Sequence, residues 1–294
     1  MYVAKGRGKG RCDVYEPGMQ ALMVERLTLA GDLQRAVERG EFVVHYQPLV
    51  ELETGRIAGF EALMRWQHPT RGLLQPLAFI PLAEETGLIL PIGRLVLREA
   101  CRQARRLQLA HPAEPPLTMA VNLSVSQIHQ GALVDDVAEA LRESALAPET
   151  LILEITEGIV LRDADAAIER LHELKALGIR LAVDDFGTGY SSLSYLRRLP
   201  IDVLKIDKSF VDDVGGPHSE QALAQVIIEM GRTLRLEVVA EGIERPEQLS
   251  QLRALRCEFG QGYYFAAAMD AAAVHALLSA GGGFIRLLSA EAAA

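Results

Sequence analysis

The distribution of apolar and polar positions divides the chain into short β-rich runs separated by helical stretches. Runs rich in β-branched and aromatic residues fall at Phe42–Val50, Ile57–Trp66, Leu117–Leu123, Leu151–Thr156, Arg180–Phe186, Val203–Ile206, Glu237–Ala240 and Phe259–Phe265. Between them apolar residues recur at helical spacing, as in Ala164–Leu177 closed by Gly178, in Glu220–Leu234, and in Pro246–Leu255 with proline at the first helical position. Ahead of the first run, Leu22–Glu38 carries Leu22, Val24, Leu27, Leu29, Leu33 and Val37 and stops at Gly40, which predicts a helix leading into the main body.

Strand and helix therefore alternate, which predicts an α/β fold. About eight repeats over roughly 250 residues favour a closed (β/α)8, TIM-like barrel over an open doubly wound sheet. The first two runs are joined only by Glu51-Leu52-Glu53-Thr54-Gly55-Arg56. That link is too short for a helical crossover, so the barrel is expected to begin with an antiparallel first strand.

Composition narrows the class. The 294 residues are 49% hydrophobic and 23% charged, with mean hydropathy +0.13, which excludes a disordered or low-complexity chain. Thirty Lys and Arg against 39 Asp and Glu give a net charge of −9. This argues against a surface that tracks a nucleic-acid polymer, and leaves room for a small anion held through metal ions. Cys12, Cys101 and Cys257 are odd in number and lack a CxxC. Neither a disulfide framework nor a thiolate zinc site is expected, and a cytoplasmic setting fits. No apolar run approaches the roughly 20 residues of a membrane span, so this segment is expected to make no membrane contact. Met1–Arg11 is basic and Gly-rich, without the apolar core of a secretory signal.

The chemistry gathers where the runs end. Asn122, Glu154, Asp184, Asp185, Lys205, Glu241 and Gln261 fall at the C-terminal ends of successive runs, and Glu61 joins them from the second. In a barrel those ends converge on one mouth, where active sites of this architecture lie. Glu154 and Asp184-Asp185 sit in apolar contexts, and buried carboxylates must be paired or bind metal. Carboxylates plus an amide oxygen, without clustered His or Cys, suit Mg²⁺ or Mn²⁺ and suit zinc poorly. The seven histidines show neither HxH nor HExxH spacing and read as structural or surface residues.

Neighbours on a regular strand face opposite ways, so Asp184 and Asp185 can serve one site only at an irregular junction, which Gly187 and Gly189 supply. Adjacent carboxylates bridging two hard cations are what two-metal phosphodiester hydrolysis requires. Lys205 could position or deprotonate the attacking water, the latter given a pKa lowered by its surroundings; the plainer reading is a salt bridge to Asp207 or to a carboxylate of the site. Gly187-Thr188-Gly189 has neither GxGxxG nor Walker spacing and is a weak nucleotide-loop signal.

These residues resemble the EAL family of cyclic di-GMP phosphodiesterases. The motifs are Glu61-Ala62-Leu63 with Arg65-Trp66, Val121-Asn122-Leu123-Ser124, Leu153-Glu154-Ile155-Thr156-Glu157, Asp184-Asp185-Phe186-Gly187-Thr188-Gly189-Tyr190-Ser191-Ser192-Leu193, Leu204-Lys205-Ile206-Asp207, Ala240-Glu241-Gly242-Ile243-Glu244 and Gln261-Gly262-Tyr263. They occur in order from about Leu27 to about Ala280. The resemblance implies hydrolysis of cyclic di-GMP to linear pGpG with two ions, Mg²⁺ or Mn²⁺. It implies metal ligation by Glu61, Asn122, Glu154, Asp184 and Asp185, with catalysis carried by Lys205, Glu241 and Glu61. Gln47, Leu63, Arg65 and Gln261 match substrate contacts, while Glu157, Asp207 and Glu244 match supports of the neighbouring loops. An alternative keeps the barrel as a cyclic di-GMP receptor with little or no turnover.

The resemblance also implies a homodimer through the barrel face near the Asp184–Tyr190 loop. Met1–Met19 resembles the end of a GGDEF domain, which implies a covalently linked upstream GGDEF or sensory region. The expected organisation is a remnant over 1–19, a linker helix over 20–40, the barrel over 41–285 and a tail over 286–294.

Overall fold

The computed structural model describes residues 17–158, 164–187, 196–212 and 221–281. The GGDEF-like remnant up to residue 16, the part of the expected dimer loop (Asp184–Tyr190) from residue 188 on, and the tail lie outside the described residues.

The chain enters through helix α1 (Pro17–Arg39), which runs to the Gly40 turn. Strands β1 (Phe42–Glu51) and β2 (Ile57–His68) then pair antiparallel, with Gln47 opposite Glu61 and His45 opposite Leu63. A short β3 (Gly72–Leu74) folds back on the end of β2. Helices α2 (Ile80–Thr86) and α3 (Ile89–Ala110) lead to β4 (Thr118–Leu123). Helices α4 (Val125–Ile128) and α5 (Leu133–Ser144) precede β5 (Leu151–Thr156), and α6 (Ala164–Ala176) precedes β6 (Arg180–Phe186). Strand β7 (Val203–Ile206), α7 (Lys208–Asp212) and α8 (Gln221–Leu234) follow. The chain closes with β8 (Glu237–Ala240), α9 (Pro246–Ala254), β9 (Phe259–Gly260) and α10 (Ala271–Ser279).

Eight strands close into a barrel in the order β1-β9-β8-β7-β6-β5-β4-β2, with β2 pairing back to β1. Strand β1 is antiparallel to both of its neighbours, and the remaining barrel pairings are parallel. The expected barrel with its antiparallel start is thus present. Two details differ. Strand β3 is a ninth, pairing outside the ring, and the last run forms a strand only over Phe259–Gly260. There the chain turns because Gln261–Tyr264 folds tightly over Ile243, with a Tyr264 N–H to Ile243 O hydrogen bond of 2.9 Å. A Cβ at Gly262 would lie 2.1 Å from the Ile243 carbonyl oxygen, so only glycine permits that approach.

The main core lies between the barrel and its helices. Helix α3 shows why the pattern works: Ile92, Val96, Ala100, Cys101, Ala104 and Leu107 form one buried stripe at helical spacing. Helix α1 is held by fully buried Leu33 and Ala36 and by polar ties to the barrel, among them Asp32 to His68 Nε2 at 3.3 Å and Glu25 to Arg71 at 2.7 Å. No helix among the described residues is long and apolar enough to cross a membrane.

Candidate active site

The strand period of two builds the site. On the interior face of β4 stand Thr118, Ala120 and Asn122; on β5, Ile152 and Glu154; on β6, Ala182 and Asp184. Each strand thus carries an apolar residue mid-barrel and an oxygen donor at its C-terminal end. Lys205 on β7, Glu241 after β8 and Gln261 after β9 complete the ring.

The ring closes around Lys205. Its ammonium is buried and lies 2.8 Å from Glu154, 2.6 Å from Glu241, 3.1 Å from Asp184 and 3.6 Å from Glu61. Glu61 accepts from Asn122 Nδ2 at 2.6 Å and from Gln261 Nε2 at 2.5 Å. The Asn122 amide nitrogen being so engaged, Oδ1 is the atom it offers a cation. Gln47 accepts from Gln261 at 3.1 Å and donates to the Ala266 carbonyl at 3.1 Å, which fixes both amides over Glu61.

Asp184 and Asp185 do serve one side. Donor oxygens of Asp184, Asp185 and Glu241 lie within 4.8 Å of one another. The irregularity that allows it begins at Asp185 itself, whose φ of 52° is left-handed and coincides with the register shift between β6 and β7. Gly187, at φ 100°, continues the turn, and its N–H donates to Glu157 Oε2 at 3.2 Å. Gly189 lies outside the described residues.

Fully ionised, the five carboxylates and one ammonium of the site would carry an excess of four negative charges. The protonation equilibria record that stress. Burial pushes Glu241 up to about 8 despite the pull of Lys205. Burial, and then the charge of Glu61, raise Glu154 well above the usual carboxylate range. Burial and the Asp184 charge raise Asp185. Burial acts on Glu61 the same way, but Lys205 and the Gln261 and Asn122 amides outweigh it and hold this carboxyl down. For Lys205, burial favours the neutral amine, yet Glu154, Glu241, Glu61 and Asp184 together raise its pKa well above the ordinary lysine value. The expectation of a lowered Lys205 pKa is therefore corrected: four carboxylates keep the ammonium charged. Its ion pairs are with the site, and Asp207 instead accepts from the Ser209 N–H at 3.0 Å at the start of α7.

A cleft of about 320 Å³ opens above the ring, lined by Gln47, Leu63, Glu241, Glu244, Lys208 and Tyr263 among others. Glu244 accepts from Lys208 Nζ. Arg65 lies buried on β2 with Nη1 donating to the Met64 carbonyl at 2.8 Å. Sequence reasoning gave no role to Lys208 or Tyr263. Tyr263 is 71% exposed at the cleft edge, and its place directly after the Gln261-Gly262 turn was the available signal.

The EAL domain family model matches residues 30–268. This chain belongs to the EAL domain family. Among curated EAL relatives, it is 45% identical over 271 residues to the bifunctional diguanylate cyclase/cyclic di-GMP phosphodiesterase MucR of Pseudomonas aeruginosa, covering 92% of this chain and 39% of MucR. It is 41% identical over 280 residues to the cyclic di-GMP phosphodiesterase NbdA of the same organism, covering 95% of this chain and 36% of NbdA. The chain thus spans less than half the length of these relatives. The solved structure of the MucR phosphodiesterase in its c-di-GMP complex superposes with a TM-score of 0.80, covering 84% of this chain and 99% of that one.

The EAL site's donor set fits hard divalent cations. It supplies carboxylate and amide oxygens, and a cation there would relieve the repulsion among the carboxylates.

Proposed function

We propose that this EAL domain hydrolyses cyclic di-GMP to linear pGpG with two Mg²⁺ or Mn²⁺ ions. The observation that carries the reading is the convergence of Glu61, Glu154, Asp184 and Glu241 on one buried lysine at the barrel mouth, with Asp185 beside Asp184 and Glu241. The names of MucR and NbdA supply the substrate class.

Glu61, Asn122, Glu154, Asp184 and Asp185 would hold the ions. Bound there, the ions supply Lewis acidity toward the phosphodiester and a nucleophile at neutral pH. The chain's residues supply the rest. Lys205, held among these carboxylates, is the donor that orients the attacking water. Water adds at phosphorus, the P–O3′ bond breaks, the 3′-oxygen leaves as a hydroxyl that takes up the proton the water gives up, and the 5′-phosphate stays on the linear product. Glu241 sits beside Lys205 and the aspartates, placed to hold water in line. Gln261 and Gln47 fix Glu61 from above, Leu63 and Tyr263 border the space for the nucleotide, and Arg65, buried on β2 within electrostatic reach of Tyr263 and Glu61, would meet the substrate from beside it. Glu157 anchors the turn after Asp185 through the Gly187 N–H.

A substrate panel tests this reading. With Mg²⁺ or Mn²⁺, cyclic di-GMP is turned over while cyclic mononucleotides and linear dinucleotides are not. Preferential cleavage of a cyclic mononucleotide would overturn the substrate assignment.

A further inference from the structure

The seven histidines show no metal-binding spacing along the chain, yet the fold brings two of them together across 164 residues. His111 Nε2 lies 3.1 Å from His275 Nδ1, with the ring centroids 5.3 Å apart and the planes inclined at 44°. Neither imidazole lines the cleft or belongs to the carboxylate ring.

Both are held by their backbones. His111 closes α3, and its N–H donates to the Leu107 carbonyl at 2.8 Å. His275 stands mid-way along α10, which is fixed by the Asp270 cap on the Ala273 N–H at 2.8 Å and by fully buried Val274. Both histidines are partly exposed, so solvent reaches the pair.

Two neutral imidazoles form such a contact only when one offers an N–H and the other a lone pair. Their outer nitrogens, His111 Nδ1 and His275 Nε2, meet no hydrogen-bond partner among the described residues and can carry the protons instead. In those tautomers two bare lone pairs face one another, which a cation between them stabilises. Two nitrogens bound at roughly 2.0–2.1 Å to one ion, at angles between a right angle and a tetrahedral one, lie about 2.8–3.4 Å apart. The observed 3.1 Å falls within that span. The place also favours positive charge. His111 sits at the C-terminal end of the 22-residue α3, where the last carbonyls leave partial negative charge, and no basic side chain in the last turn offsets it.

From this geometry we infer that His111 and His275 form a binding site for one divalent cation of the Zn²⁺ class, with water completing its coordination. Two imidazole nitrogens suit such an ion, whereas the oxygen donors of the barrel mouth suit Mg²⁺ or Mn²⁺. The bound ion fastens α10 to the end of α3, and the site is independent of the hydrolytic reading.

Zn²⁺ titrated into the full chain in excess Mn²⁺ tests this, followed by calorimetry and by the imidazole nitrogen resonances. The expected result is saturable Zn²⁺ binding that shifts the resonances of both histidines. His111→Gln or His275→Asn, each removing one ligand, is expected to weaken it about tenfold or more while Mn²⁺ binding is unchanged. If one variant does not fold, the other decides. Zn²⁺ binding that leaves both imidazoles unshifted, or an affinity indifferent to these substitutions, overturns the proposal.

Discussion

Lys205 is the residue on which the site balances. One ammonium cannot neutralise the carboxylates that face it, so the cluster is under electrostatic stress that cations relieve. Replacing it removes the one positive charge that, among the described residues, pairs with the ring's carboxylates. Lys205→Met is expected to cut turnover by roughly 10²-fold or more and to destabilise the chelator-treated protein by about 3–5 kcal/mol, read by kinetics and urea unfolding. The raised carboxylates give a signature in pH. Glu241 moves from the ordinary 4.5 to about 8, so between those values the folded state binds more protons than the unfolded chain. Stability in chelator should therefore fall as pH rises through that window, since the proton-rich state is the native one. Glu154 and Asp185 act in the same direction; Glu61, which is lowered, contributes stability that is lost only on acidification, and Lys205 changes only at more alkaline pH. Melting temperatures from pH 5 to 8 check this, and added Mn²⁺ should flatten the slope by taking the place of the protons.

At the scale of elements, the end of β6 decides whether the two aspartates meet. The sequence reading that adjacent carboxylates need an irregular strand end was sound, but it placed the turn at the glycines, whereas Asp185 already leaves the strand. Aspartate tolerates the left-handed region better than most residues, so the bend and the ligand can share one position. Gly187 has no such latitude. A Cβ there would lie 2.7 Å from the Phe210 ring at an unfavourable φ. Gly187→Ala is expected to cost at least about 1 kcal/mol and to lower kcat more than it raises KM, read by thermal melts and steady-state kinetics. Helix α1 depends on ordinary packing. Fully buried Leu33 fastens it to the barrel, and Leu33→Ala should cost about 2–5 kcal/mol in urea unfolding while the carboxylate ring stays intact. That helix and the alternation of strands were legible because each is written in local periodicity. The premature end of β9 was not, because it depends on the contact between Gly262 and Ile243, which are brought together only by the fold.

At the scale of the whole molecule, the barrel turns a sequence pattern into a vertical order: a charged rim below, a thin apolar middle, and carboxylates around a lysine above. The oxygen donors at the strand ends could be read one by one, since closure of a barrel brings such ends together whatever the details. The charge state of Lys205 could not, because it is set by four partners from β2, β5, β6 and the end of β8 at once. The net charge of −9 gains a location from the same closure, since several of its acids form the mouth where cations would gather a phosphodiester. The direct test is mass-spectrometric product analysis after incubation with cyclic di-GMP, in chelator and again after Mg²⁺ or Mn²⁺ is restored. Linear pGpG that forms only with the cation, and not in Glu61→Ala, is the predicted result; tight binding without product in metal-replete buffer would contradict the account.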